Sequence, residues 1–220
     1  MAFFNDTETS SGNTFSAGTI DLKIDYQCPG SGCGWGLKDL TYNDAFFREC
    51  DVKPGDSQSS DISWHVFDNN AWGRVKVLIG DYENGCTEPE EEVDQDCGNV
   101  GENQGELDDN LKFTFWMDEG QVPGWQCLQN QPHCPADPKE GNSTLDPGEP
   151  LIVSGISAKQ ISQLGWIVLP QEIIASNTYY LGVKWEVPSD VNNIIQTDSI
   201  SGIITMEVVQ SRNNPGKIFP

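Results

Sequence analysis

The chain has 220 residues, enough for one well-filled domain or two small ones, and sets 34 Asp and Glu against 12 Lys and Arg, a formal net charge of −22. So few cations leave little surface able to displace counterions from phosphates, which argues against nucleic acid and anionic lipid surfaces as partners. No run approaches the roughly 20 apolar residues of a membrane-spanning helix, and no charged, apolar and small-residue signal is present, so a mature form without membrane insertion, any leader already removed, is expected.

In chain order, the first element is a short apolar piece, Ala2, Phe3 and Phe4, followed by Asn5, Asp6, Thr7, Glu8, Thr9 and Ser10. Such residues at the end of a very acidic chain have nothing of their own to pack on and need a partner. Behind them Ile20, Leu22, Ile24 and Tyr26 alternate with Asp21, Lys23 and Asp25, the period of a strand with one buried face. Lys53-Pro54-Gly55-Asp56 reads as a tight turn, with Pro54 fixing φ and Gly55 free to take positive φ.

Period-two segments recur at Ile62/Trp64/Val66, Val75/Val77/Ile79, Leu111/Phe113/Phe115/Met117, Tyr179/Leu181/Val183/Trp185 and Ile204/Met206/Val208. Residues 157–164 predict one short helix, capped by Ser157 and placing Ile161 and Leu164 on one face. The fold class expected is all-β, a jelly-roll-type sandwich of two antiparallel sheets with long disulfide-stapled loops. Residues 15–220 are expected to form a single domain behind an N-terminal segment 1–14, with loop excursions near 84–110 and 119–141.

Seven cysteines fall in loops rich in Gly, Pro, Asp and Asn, which points to disulfides and an oxidising, extracellular compartment. Cys86 with Cys97, around an acidic loop, and Cys127 with Cys134 are local closures. Of Cys28, Cys33 and Cys50, one is left free or pairs between chains. Zinc competes at Cys28 and Cys33, but four residues separate them where a zinc knuckle has two, and no second cysteine pair completes a tetrahedral set. An acidic constellation of Asp118, Asn142, Asp146 and Glu149 supplies oxygens of the kind calcium takes, although the spacing is not that of an EF-hand. Solvated turn carboxylates are the competing reading.

The pattern FFNDTET…NTFSAGTIDL resembles the mature N-terminus of the TasA/camelysin family of secreted biofilm filament proteins. The block CDVKPGDSQSSDISWHVFDNNAWGRVKVLIGDYENGCTEPE is similar to the turn and two following strands of its archaeal members. Later blocks, GELDDNLKFTFWMDEG and YYLGVKWEVPSDVNNIIQTDSISGIITMEVVQ among them, extend the likeness over most of the chain. The resemblance implies β-sandwich subunits joined by donor-strand exchange. Here the donor would be residues 2–10, completing a sheet of the next copy in a head-to-tail homopolymer, with lateral bundling of filaments as a further expectation. A secreted location, at the cell surface or in a biofilm matrix, follows from the same likeness.

Catalysis is not expected. Some family members carry a metalloprotease label, but there is no HExxH, His65 and His133 do not share a helix, and neither G-x-S-x-G nor a phosphate-binding glycine loop is present. The expected function is therefore a structural filament subunit. The alternative is a monomeric secreted or cell-surface binding module with acidic, calcium-binding loops.

Overall fold

A computed structural model describes residues 19–28, 34–95, 97, 101–102, 105–124 and 137–220. The expected donor segment, Cys33, Cys127 and Cys134 lie outside the described residues. In chain order the strands are β1 (Asp21–Gln27), β2 (Trp35–Lys38), β3 (Ser57–Phe67), β4 (Ala71–Asn84), β5 (Gly101–Glu102), β6 (Lys112–Met117), β7 (Leu151–Ser157), β8 (Trp166–Ile173), β9 (Thr178–Glu186) and β10 (Ser199–Gln210). Short helices α1 (Glu88–Glu91), α2 (Leu107–Asn110) and α3 (Ala158–Gln163) and a 3₁₀ turn at Asn193–Ile195 join them.

The architecture is the expected two-sheet, all-β sandwich. A six-stranded antiparallel sheet runs in the order β2-β1-β3-β9-β6-β7. The smaller sheet is organised by β4, which pairs with β10 along one flank and with β8 and β5 along the other. The chain crosses between sheets at residues 68–70, where Asp68 takes a positive φ of 71°, so that consecutive strands β3 and β4 face each other across the core. Ile62, Trp64 and Val66 of β3, Phe115 and Met117 of β6 and Leu181 and Val183 of β9 pack in one cluster with Val75 and Val77 of β4 and Leu169 and Ile173 of β8. Burying side chains of this size stabilises by about 1.5–3 kcal/mol each relative to exposure. At one end Tyr26, Trp35, Phe46 and Phe47 form an aromatic knot with ring centroids 5.0–6.1 Å from Tyr26.

Local signals are realised where the sequence places them. The N–H of Asp56 donates to the Lys53 carbonyl at 3.0 Å, and Gly55 has φ 91°, closing the expected turn. Ser157 caps α3 through a reciprocal capping box: its Oγ accepts from the Gln160 N–H at 3.1 Å and its own N–H donates to Gln160 Oε1 at 2.9 Å. Ile161 is buried, but Leu164 is 52% exposed and does not share its face. Leu164 is the C-cap, and Gly165 with φ 68° turns the chain away toward β8 before another helical step is made. Two helices beyond the one expected, α1 and α2, lie inside the 84–110 excursion, which is pinned by a Cys86–Cys97 disulfide.

Candidate functional site

Sheet edges are the first place where a sandwich can meet another chain, because an edge strand offers unpaired N–H and C=O groups. Most edges here are blunted. β2 is four residues long and pairs irregularly with β1, and β7 is bulged twice against β6. β8 contains Pro170, and the Lys217 ammonium donates to the carbonyls of Leu169 and Pro170 at 3.3 and 3.1 Å. β10 differs. It runs twelve residues, pairs among the described residues with β4 alone, and contains no Lys, Arg or Pro. Its one charge, Glu207, is held by Arg74 of β4, Nε to Oε2 at 2.7 Å. Ile200, Ile204, Met206 and Val208 turn toward the core but are only partly buried, while Ile203 on the other face is 58% exposed.

A second feature lies on the outer face of the large sheet. Where Ile62, Trp64 and Val66 turn inward, period two turns Asp61, Ser63 and His65 outward. That face is not left to water: residues of the loop before β7 cover it. Ser143 donates from Oγ to Asp61 Oδ2 at 2.6 Å and from its N–H to Asp118 Oδ2 at 2.7 Å. Asp61 and Asp118 are both 0% exposed. Burial and the charge of Asp61 push Asp118 up to about 8, and its retained proton hydrogen-bonds Asp61. Burial also raises Asp61, against the opposing hydrogen bonds from Ser143 and Asp118. The result is a carboxyl pair sharing a proton, as two close acids in a dry site must. Glu119 and Glu140 nearby are raised to about 7 and about 8, in each case chiefly by burial. On the neighbouring β1, His65 Nε2 lies 2.8 Å from Asp25 Oδ2 and the Ser63 hydroxyl donates to the same carboxylate. Burial opposes ionisation of Asp25, but these two hydrogen bonds hold it below its ordinary value.

The residues considered for calcium, Asp118, Asn142, Asp146 and Glu149, are brought together by this loop, and each offers at least one oxygen to an internal donor. Asn142 Oδ1 accepts from the Thr144 N–H at 2.7 Å. Asp146 Oδ2 accepts from Asn142 Nδ2 and Oδ1 from Lys139 Nζ, both at 3.0 Å. Glu149 Oε2 accepts from the Asp146 N–H at 2.8 Å. The Lys139 ammonium thus pairs with one of the four, Asp146.

Among the cysteines, Cys86 and Cys97 pair as expected, Cys28 is disulfide-bonded, and Cys50 is free and exposed. A sulfur committed to a disulfide offers no thiolate, so the zinc reading of Cys28 is corrected. Asp61 was not read from the sequence as part of any site. A carboxylate one step out of phase with a strong inward triplet, on a strand central to its sheet, is the signal that would have marked it.

No family model matches the chain, and no curated protein does. A solved structure with which it shares some similarity is a family 123 glycoside hydrolase from Clostridium perfringens. The match has 13% identity and a TM-score of 0.28, and covers 72% of this chain and 19% of that one. At that score the overlap carries no argument about fold or activity.

Proposed function

We propose that the chain is a structural subunit of an extracellular filament, in which residues 2–10 of one copy pair along β10 of the next. The observation that carries this reading is the β10 edge, long, free of Lys, Arg and Pro, and backed by half-buried Ile204, Met206 and Val208. Natural monomers blunt edges of this kind, and filament subunits use them. A strand laid beside β10 would gain backbone hydrogen bonds of about 0.5–1.5 kcal/mol each. Phe3 or Phe4 set over the half-buried residues would add about 1.5–3 kcal/mol apiece.

The likeness of residues 2–26 to the start of TasA/camelysin proteins supports the same assignment of donor. So does the point where the chain enters the sandwich. The Asn69 side chain donates to the Thr19 carbonyl at 2.6 Å and accepts from Gln210 Nε2 at 3.2 Å, so Thr19, just before β1, lies beside the end of β10. A donor and an acceptor on one subunit form a head-to-tail contact that does not close, and it propagates as a fibre.

The test uses a chain lacking residues 2–10 and a synthetic peptide of those residues. The truncated chain should stay folded and monomeric, and the added peptide should slow amide hydrogen exchange along β10. Filaments formed by the truncated chain, or peptide binding that leaves β10 amides unprotected, would contradict the proposal.

A further inference from the structure

The 84–110 excursion and the turn before β10 bring together three carboxylates far apart in sequence. Glu90 lies on α1, Glu106 immediately precedes α2, and Asp198 immediately precedes β10. One oxygen of each lies within 4.8 Å of those of the other two. Glu90 is 0% exposed; its Oε2 accepts from the Thr197 hydroxyl at 3.1 Å, and its Oε1 has no hydrogen-bond partner. Asp198 is oriented by two backbone donors, the N–H groups of Glu106 and Leu107, at 2.8 and 3.0 Å from Oδ2. That leaves its Oδ1 without a partner, as is Glu106 Oε2. Gly105 lets this approach happen: a Cβ there would lie 2.9 Å from the Asp198 carboxylate and 2.8 Å from the Glu83 carbonyl.

Three buried oxygens without donors, on carboxylates this close together, are a costly arrangement for a chain on its own. Among the described residues no Lys, Arg or His forms an ion pair with any of the three. A cation supplies what is missing. Oxygens that flank calcium at 2.3–2.6 Å lie at most about 5 Å apart, the span found here. The donor set is all oxygen, and the nearby sulfurs of Cys86 and Cys97 are committed to their disulfide, which excludes a soft-metal site.

We propose that Glu90, Glu106 and Asp198 bind one calcium ion, which fastens the disulfide-closed excursion to the start of β10. The ion would join α1, α2 and the Asn193–Ile195 turn region into one unit. It therefore stiffens the N-terminal end of the edge strand assigned above as acceptor. The site does not depend on that assignment, since binding is read on the unassembled chain.

The experiment uses the full chain with its disulfides formed, stripped with chelator and titrated with calcium chloride, followed by calorimetry and thermal unfolding. One equivalent of calcium should bind, and melting should rise by several degrees. Glu90→Gln and Asp198→Asn should weaken binding at least tenfold, while Asp146→Asn, in the other acidic loop, should leave it unchanged. In chelator Glu90→Gln should melt at or above wild type, because one of three crowded charges is gone, and in calcium the order should reverse. That crossing also shows that the variant folds. A wild-type chain indifferent to calcium, an equal response to magnesium at the same concentration, or full calcium binding in Glu90→Gln and Asp198→Asn would overturn the assignment.

Discussion

Replacing Asp118 by Asn should make the protein more stable at pH 8 and leave it nearly unchanged at pH 5. The carboxyl of Asp118 is 0% exposed and is pushed up to about 8 by burial and by Asp61 beside it. A group whose folded pKa exceeds its unfolded value near 4 favours the folded state at low pH, and that advantage drains away as pH rises toward the folded value. Each pH unit in that window removes up to about 1.4 kcal/mol. Three units would give at most about 4 kcal/mol, and sharing of the proton with Asp61 spreads the titration, leaving about 1–3 kcal/mol. An amide in place of the carboxyl donates to Asp61 as the proton did and still accepts from the Ser143 N–H. Urea unfolding of both proteins at pH 5 and pH 8, in chelator, measures the difference. Wild type should lose about 1–3 kcal/mol more than the variant between the two pH values. Equal losses, or a variant weakened by the same amount at both pH values, would refute the shared-proton description of the Asp61–Asp118 pair.

Removing the Cys86–Cys97 bridge, which closes a loop of sequence separation 11, should cost about 2–3 kcal/mol in denaturant unfolding; an unchanged midpoint would mean the excursion is held by other contacts alone. Ser157→Ala should cost about 1 kcal/mol through the lost capping box of α3, again read from the unfolding midpoint. Phe3→Asp with Phe4→Asp should abolish filament formation at every ionic strength, because a carboxylate in an apolar groove stays costly when charges are screened. Raising salt should promote association of the wild-type chain, whose −22 formal charge repels its copies; light scattering and negative-stain microscopy check both.

Six of the ten strands among the described residues were legible as alternation, and they are the ones whose two faces meet different surroundings. Ile62, Trp64 and Val66 are buried on β3, as are Tyr179, Leu181, Val183 and Trp185 on β9. The four missed strands, β2, β5, β7 and β8, lie at margins of the sheets, where packing imposes alternation weakly. β7 carries Gly155 at φ 59° and shifts register against β6. β8 includes a proline, ordinarily a mark against strand. The carboxylate sites were hidden for another reason. Asp61 has the period of a solvent-facing residue, and only the loop carrying Ser143 makes it buried. Glu90 sits in an acidic run between two cysteines, where nothing local separates it from Glu91 or Glu92; Glu106 and Asp198 reach it solely through the fold. Capping at Ser157 and the turn at Gly55 were legible because they depend on neighbours within four residues.

The most direct measurement of the central claim is electron cryomicroscopy of the assembled protein at side-chain resolution. The account predicts a strand beside β10 that belongs to a neighbouring copy, traced through residues 2–10, with Phe3 or Phe4 covering Ile204 and Met206. Filaments in which β10 keeps a free edge, or in which the strand beside it belongs to the same copy, would contradict it.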